Sequence, residues 1–397
     1  MPFDAGRRVH LPAGAGTAPP VLYVLPAPGA EPPETEQATA AEMEGLRGLG
    51  RPVVAFRLGM PAADAPWRAA AHAAMRGGRL GAMARNPLGL ARATSFAMAQ
   101  RAMPPRAALR LGARVAAAAR LHGCGRVHAA STDAAATAAL LGARMAGLPA
   151  SIAATGRDVY ADATDLPLKL RAADLVLAAC TEMAQDLRDL APRSRVRAVN
   201  RGVDTDLFRP EPGIERNGRL LCLAPLVPRS GVSTLLAALG ELPPEQRPVV
   251  DVIGAGPLLE ALRAEALERQ VSDHVRFLGR RGRRWIAEEA QRYLGLVAPG
   301  VVAPDGDRDP APVGVLQAMA LELPVVASAL MAMREVVQPD CGHLVPAGEA
   351  TPLARGMRWL HAMPEDLRRR LGRAGRDRVL AGYTMVQRAT RLAQALG

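Results

Sequence analysis

Short runs of aliphatic and β-branched residues alternate along the chain with longer stretches of alanine, leucine and arginine, in which apolar positions recur at three- and four-residue intervals. Continuous apolar runs suit strands covered on both faces, and the longer periodic stretches suit the helices that cover them. The pattern predicts strands near Val21–Leu25, Val53–Leu58, Arg126–Ala129, Ser151–Ala154, Leu175–Ala179 and Val196–Val199 in the first half. In the second half it predicts them near Leu220–Ala224, Val249–Ile253, Val275–Leu278, Gly295–Ala298 and Val325–Ala327. Such alternation feeds a parallel sheet, and it occurs twice, so the expected fold class is α/β with two Rossmann-like, doubly wound domains. Leu353–Leu371 and Asp377–Leu396 read as closing helices.

The polar, proline- and glycine-bearing stretch FRPEPGIERN predicts a linker at 208–217 between a first domain over 1–207 and a second over 218–380. The helix over 381–397 is expected to cross back to the first domain. A length of 397 residues agrees with two domains, because single cores stop growing at about 250–300 residues.

The hydrophobic fraction is 49%, with no uninterrupted apolar run of about 18 residues to suggest a membrane span. The opening MPFDAGRRVHLPAG lacks a secretory pattern, so a cytoplasmic location is expected. Cys124, Cys180, Cys222 and Cys341 are far apart and read as reduced core thiols, with no metal site expected.

The net charge of +12 changes the picture through its distribution. No acid lies between Asp64 and Asp133, while Arg68, Arg76, Arg79, Arg85, Arg92, Arg101, Arg106, Arg110, Arg114, Arg120 and Arg126 fall within that interval. An Arg-rich helical segment over 64–126 follows. It reads as a solvated face or, through Arg68–Arg120, as a dock for an anionic membrane on the inner face of the cytoplasmic membrane. Lys169 is the only lysine, so the arginine abundance also fits a codon bias. Aromatics make up 3% of the chain, with no stacking platform, so nucleic acid is not an expected partner.

VNRGVDTDLFRP, residues 199–210, resembles the signature that closes the first domain in family-4 glycosyltransferases of GT-B fold, with Arg201 where that signature has Asn. In order after it come LLCLAPLVPRSGVSTLLAAL, VDVIGAGPLLEAL, VRFLGRR and DGDRDPAPVGVLQAMALELPVVAS, which resemble the donor-binding domain of the exopolysaccharide and colanic-acid biosynthesis enzymes. The resemblance implies two domains facing a central cleft. It also implies a nucleotide-sugar donor, UDP- or GDP-linked, and retaining transfer of a hexose to a glycan or lipid-linked acceptor with no metal. Small-residue turns before helix N-termini, as at Gly254, Gly256 and Pro257, suit a diphosphate because free N–H groups and the helix dipole point at it.

The sequence departs from the family at several of the implied site positions. Pro225 and Ser230 stand where an Arg and a Lys contact the diphosphate, with Arg229 adjacent. The carboxylate pair spaced by seven residues reads Asp309, in the catalytic position, and Gln317, in the ribose position. Val315 and Glu335 complete the implied donor set, and Met331 and Ala332 replace small loop residues. On the acceptor side the resemblance implies Gly29, His128, Thr155, Arg157 and Asp158, with Ala130 and Thr155 where two histidines would fall, while His128 itself reads first as a satisfied structural histidine and second as a catalyst. Two readings follow: a working transferase with an unusual site, or a catalytically inactive relative that binds a glycan, a membrane or a partner glycosyltransferase.

Overall fold

Two six-stranded parallel sheets form the frame of the computed structural model, which describes residues 18–27, 33–59, 86–311 and 313–397. Gly29 and the arginines from Arg68 to Arg85 lie outside the described residues.

In the first sheet, β1 (Val21–Leu25) is flanked by β2 (Val53–Arg57) and β3 (Arg126–Ala129), and β4 (Ala150–Ala153), β5 (Leu175–Ala178) and β6 (Val196–Ala198) follow in order. The second sheet runs β12 (Gly342–Val345), β11 (Val325–Ser328), β10 (Gly295–Ala298), β7 (Leu220–Leu223), β8 (Val250–Ile253), β9 (Val275–Gly279). Each order reverses once, between β1 and β3 in the first sheet and between β7 and β10 in the second. The crevice beyond the carboxyl ends at such a switch point is where open α/β sheets take ligands.

The first sheet is covered on one side by α2 (Pro87–Ala99), α3 (Pro105–Leu121) and α4 (Ala134–Ala146). Alanine and glycine at the contact let α3 and α4 approach closely: a Cβ at Gly112 would fall 2.5 Å from the Leu141 Cβ, and one at Gly142 2.5 Å from Val115. The other side is closed by α1 (Pro33–Gly48) together with α15 (Met385–Leu396), whose Leu392 and Leu396 are buried among Val21, Tyr23 and Leu46. The last helix therefore completes the core of the first domain.

Helices α13 (Ala350–His361) and α14 (Glu365–Gly382) separate at Met363–Pro364, because a proline cannot donate within a helix. Between α14 and α15 the chain turns at Thr384, which caps α15 reciprocally with Gln387. The closing helices expected at Leu353–Leu371 and Asp377–Leu396 are thus three. Strand β12 was not anticipated: its four residues include a glycine and an exposed histidine, too little apolar pattern to register.

The chain passes between domains twice, and the passages run side by side. Val203 and Thr384 form an isolated parallel bridge, with the Val203 N–H donating to the Tyr383 carbonyl at 2.8 Å and the Met385 N–H to the Val203 carbonyl at 3.0 Å. Phe208, at the start of the expected linker, is instead wholly buried in the second-domain core, and the Glu211 and Asn217 N–H groups bond to Gln291 and Arg292. Residues 208–217 therefore already lie against the second domain, and the passage itself lies upstream.

Candidate functional site

Loops after the two sheets meet at the junction, Gly156 of the first domain lying against Arg308 and Pro310 of the second. The second domain contributes the loop after β7, the loop after β8 and the stretch 299–311 that leads into α11 (Val313–Ala320). A Cβ on Gly231 would lie 1.9 Å from the Pro299 carbonyl oxygen, and the Val301 N–H donates to the Arg229 carbonyl at 2.9 Å, so these loops form one packed rim. Gly254 and Gly256 belong to the same rim. Added Cβ atoms would fall 1.8 Å from the Ala224 carbonyl oxygen and 2.3 Å from that of Leu226. These glycines are required first by the neighbouring loop; Pro257 beside them is exposed.

Arg229 donates to the Asp307 carboxylate at 2.7 Å, and Asp307 is nearly buried. Ser230 is buried within the same turn. Asp309 Oδ1 accepts from the Ala311 N–H at 2.9 Å, fixing the turn before α11. Asp309 is exposed to solvent. The protein packed around it pushes its carboxyl above the usual range, against the lowering pull of the Ala311 amide and of Arg229 and Arg201. Val315 and Gln317 are buried on α11.

On the opposite wall, α5 (Gly156–Tyr160) meets the second domain directly. Arg308 stacks over the Tyr160 ring at 4.0 Å, Tyr160 donates to Asp186 at 2.6 Å, and a Cβ on Gly156 would sit 2.4 Å from the Arg308 carbonyl oxygen. Thr155 caps α5, Arg157 is exposed, and Asp158 accepts from the Thr132 N–H at 3.0 Å and its hydroxyl at 3.1 Å. Lys169 holds the same loop by donating to the Thr132 carbonyl at 2.7 Å and the Thr164 carbonyl at 3.1 Å.

His128, which the family resemblance puts on the acceptor side of the cleft, has no exposed surface. It lies inside the sheet, with Nδ1 2.9 Å from the Ser151 hydroxyl, its ring edge-on to Tyr23, and Nε2 without a partner. Burial drives it down to about 4. Nearby, Tyr23 donates to Glu42 at 2.9 Å and Arg388 of α15 pairs with the same carboxylate. Burial alone would raise Glu42, but the Arg388 guanidinium overrides it and holds the carboxyl down to about 2.

Glu335, on the short helix α12 (Met333–Val336), reaches across the junction. One oxygen accepts from the Thr181 N–H at 2.6 Å, at the start of α7 (Thr181–Leu190), and the other from Asn200 at 2.9 Å. The positive end of α7 favours that carboxylate. Arg334 pairs with Glu182 at 3.2 Å, and Leu330, Met331 and Ala332 are buried against the first-domain core. A cavity of about 20 Å³ bordered by Arg201 and Arg388 has room for little more than water.

Residues 204–378 match the family model described as glycosyl transferases group 1. The second domain belongs to the group 1 glycosyl transferases. The match begins at the first passage between domains and ends before the second. The chain is 30% identical over 226 residues to a GDP-mannose-dependent phosphatidylinositol monomannoside mannosyltransferase of Mycobacterium tuberculosis, covering 52% of this chain and 56% of that one. It is 27% identical over 192 residues to a putative colanic acid biosynthesis glycosyltransferase of Escherichia coli, covering 47% of each. It thus spans about half the length of the curated relatives it matches. Among solved structures, a glycosyltransferase from Rickettsia africae superposes with a TM-score of 0.71 at 13% identity, over 96% of this chain and 98% of that one. Anabaena HepE in complex with UDP-glucose gives 0.67 at 16%, over 95% and 99%. Both share the two-domain GT-B fold.

Within the glycosyl transferase domain, the rim residues Arg229, Ser230, Gly254, Gly256 and Asp309 are brought together, while Glu335 is turned to the first domain. Sequence reasoning singled out Tyr160 in IAATGRDVYAD but missed Asp307 and Arg308. The alternating acids of DGDRDP were a local signal for Asp307, but nothing local links Arg308 to a ring far upstream.

Proposed function

We propose that the chain is a family-4 glycosyltransferase that binds a UDP- or GDP-linked sugar between its domains. It transfers the hexose with retention to a polysaccharide or lipid-linked acceptor in exopolysaccharide or cell-surface glycan synthesis. The observation that carries this reading is the group 1 glycosyl transferase match over residues 204–378, whose loops after β7 and β8 and the stretch 299–311 pack into one rim at the carboxyl ends of the second sheet. The names of relatives support the same chemistry, since they include GDP-mannose-dependent mannosyltransferases and enzymes of amylovoran and colanic acid biosynthesis.

A second reading, an inactive partner subunit, draws support from the charge at the expected diphosphate positions: Pro225 and Ser230 carry none, and Arg229 is paired with Asp307. Fixed cations there would stabilise a leaving diphosphate, and losing one such contact typically costs about 10²–10³ in rate. Calorimetric titration with UDP-, GDP- and ADP-sugars, followed by single-turnover transfer in membranes of the source cell, separates the readings. Transfer that disappears in Asp309→Ala supports the enzyme; absence of nucleotide binding at millimolar ligand removes it.

Peripheral membrane docking belongs to either reading. Leu88 and Met98 are 60% and 69% exposed on α2, in an acid-free region that also exposes Arg92, Arg101, Arg106 and Arg110. No helix among the described residues is long and apolar enough to cross a membrane. Salt-sensitive flotation with anionic vesicles, lost when these arginines become Gln, tests the docking.

A further inference from the structure

The cations that the family resemblance places at the diphosphate are absent from positions 225 and 230, yet the junction signature carries an arginine where the family has asparagine. Arg201 follows β6 after Val199 and Asn200, at the first passage between domains, and is partly buried. It borders the cavity at the carboxyl ends of the first sheet, beside Ala130, Ala153 and Val199, and also lies at the packed contact with Leu316, Ala332 and Val336 of the second domain. Among the described residues only Ala179 shares that double position. Two arginines, Arg201 and Arg388, against one glutamate, Glu42, leave the lining of the first cavity with a net positive charge in otherwise mostly alanine and valine surroundings.

We propose that Arg201 is the phosphate-binding cation of the cleft, holding the diphosphate of a nucleotide sugar or the phosphate of a lipid-linked acceptor where the two domains meet. This rests on the glycosyltransferase reading above. Its charge is felt on both walls, since Arg201 lowers Glu42 of the first domain and Asp309 of the second. A guanidinium offers a planar fork of donors that matches two phosphate oxygens at once, which an asparagine amide cannot do. The low dielectric of an alanine-lined wall strengthens that contact. At about 20 Å³ the cavity is too small for a phosphate, so binding requires it to widen.

The test is calorimetric titration of the full chain and its Arg201→Asn and Arg201→Lys variants. The probes are GDP, UDP and farnesyl phosphate in detergent, with guanosine and uridine as phosphate-free controls. Arg201→Asn is expected to weaken at least one phosphate-bearing probe by about 10- to 100-fold, the range of a lost hydrogen bond to a charged group, while leaving the nucleosides unchanged. Arg201→Lys should fall between. Loss confined to GDP and UDP assigns the donor diphosphate, and loss confined to farnesyl phosphate assigns the acceptor. Wild-type protein that binds a phosphate-bearing probe as well as both variants do overturns the assignment of Arg201 alone. Wild-type protein that binds none of the probes overturns the glycosyltransferase reading together with it.

Discussion

Replacing His128 with Asn should flatten the acid side of the stability curve. An unfolded histidine takes up a proton near 6.5, whereas burial against Tyr23 holds the folded His128 down to about 4. As pH falls the unfolded chain is protonated first, so the stability that rests on a neutral His128 is intact above about 6.5 and is lost progressively down to about 4. One proton of difference between the states is worth about 1.4 kcal/mol for each pH unit. Between pH 7 and pH 5 the wild type should therefore lose about 2 kcal/mol more than the variant. Glu42, whose folded carboxyl titrates at about 2, begins to contribute only below its ordinary value of 4.5, outside that interval. Asparagine keeps a group able to bond the Ser151 hydroxyl but carries no titrating proton. Urea unfolding of both proteins at pH 7, 6 and 5, followed by far-UV circular dichroism, gives the difference directly. Stability curves that run parallel over that range would refute the account of a neutral, wholly buried imidazole.

Gly254→Ala would drive a methyl into the Ala224 carbonyl at 1.8 Å, so we expect a loss of about 1–3 kcal/mol, read as a lower thermal midpoint; an unchanged midpoint removes the packing explanation for this glycine. Lys169→Met leaves the Thr132 and Thr164 carbonyls without their donor at an expected cost of about 1–3 kcal/mol in chemical unfolding, and a neutral result would show that water replaces the ammonium. Glu335→Ala removes the acceptor from the Thr181 N–H and Asn200, and should raise the radius of gyration of the ligand-free protein in small-angle scattering; superimposable curves would mean that the apolar contacts of Leu330, Met331 and Ala332 suffice for closure.

The strands of both sheets were legible because parallel strands covered on two sides read as continuous apolar runs, whereas the turn glycines and Asp309 were named only through the family resemblance. Strand β12 was not, since an edge strand with a glycine and an exposed histidine lacks that signature. The role of a polar side chain was harder to read than its position. Residues 254 and 256 had to be glycine, but the close approach that requires it is by the Ala224–Leu226 loop of the same domain. His128 sits on a predicted strand, and strand alternation alone did not reveal that its ring faces Tyr23 and not the cleft. Glu335 looked like a donor contact by position, and its bonds to Thr181 and Asn200 depend on how two domains meet, which no local pattern encodes.

The paired passages at Val203 and Thr384 bear on how the protein is made. The first domain cannot close its apolar surface at Val21, Tyr23 and Leu46 until α15 delivers Leu392 and Leu396, and Glu42 lacks its ion pair with Arg388 until the same helix arrives. Domains generally fold as units in the order of their synthesis. Here the earlier half leaves the ribosome with a greasy groove and a buried acid awaiting its counter-ion, while the later half can fold around its own core. The domain translated first is therefore the one finished last, and a chain stopped after α14 should be recognised by chaperones through that open groove.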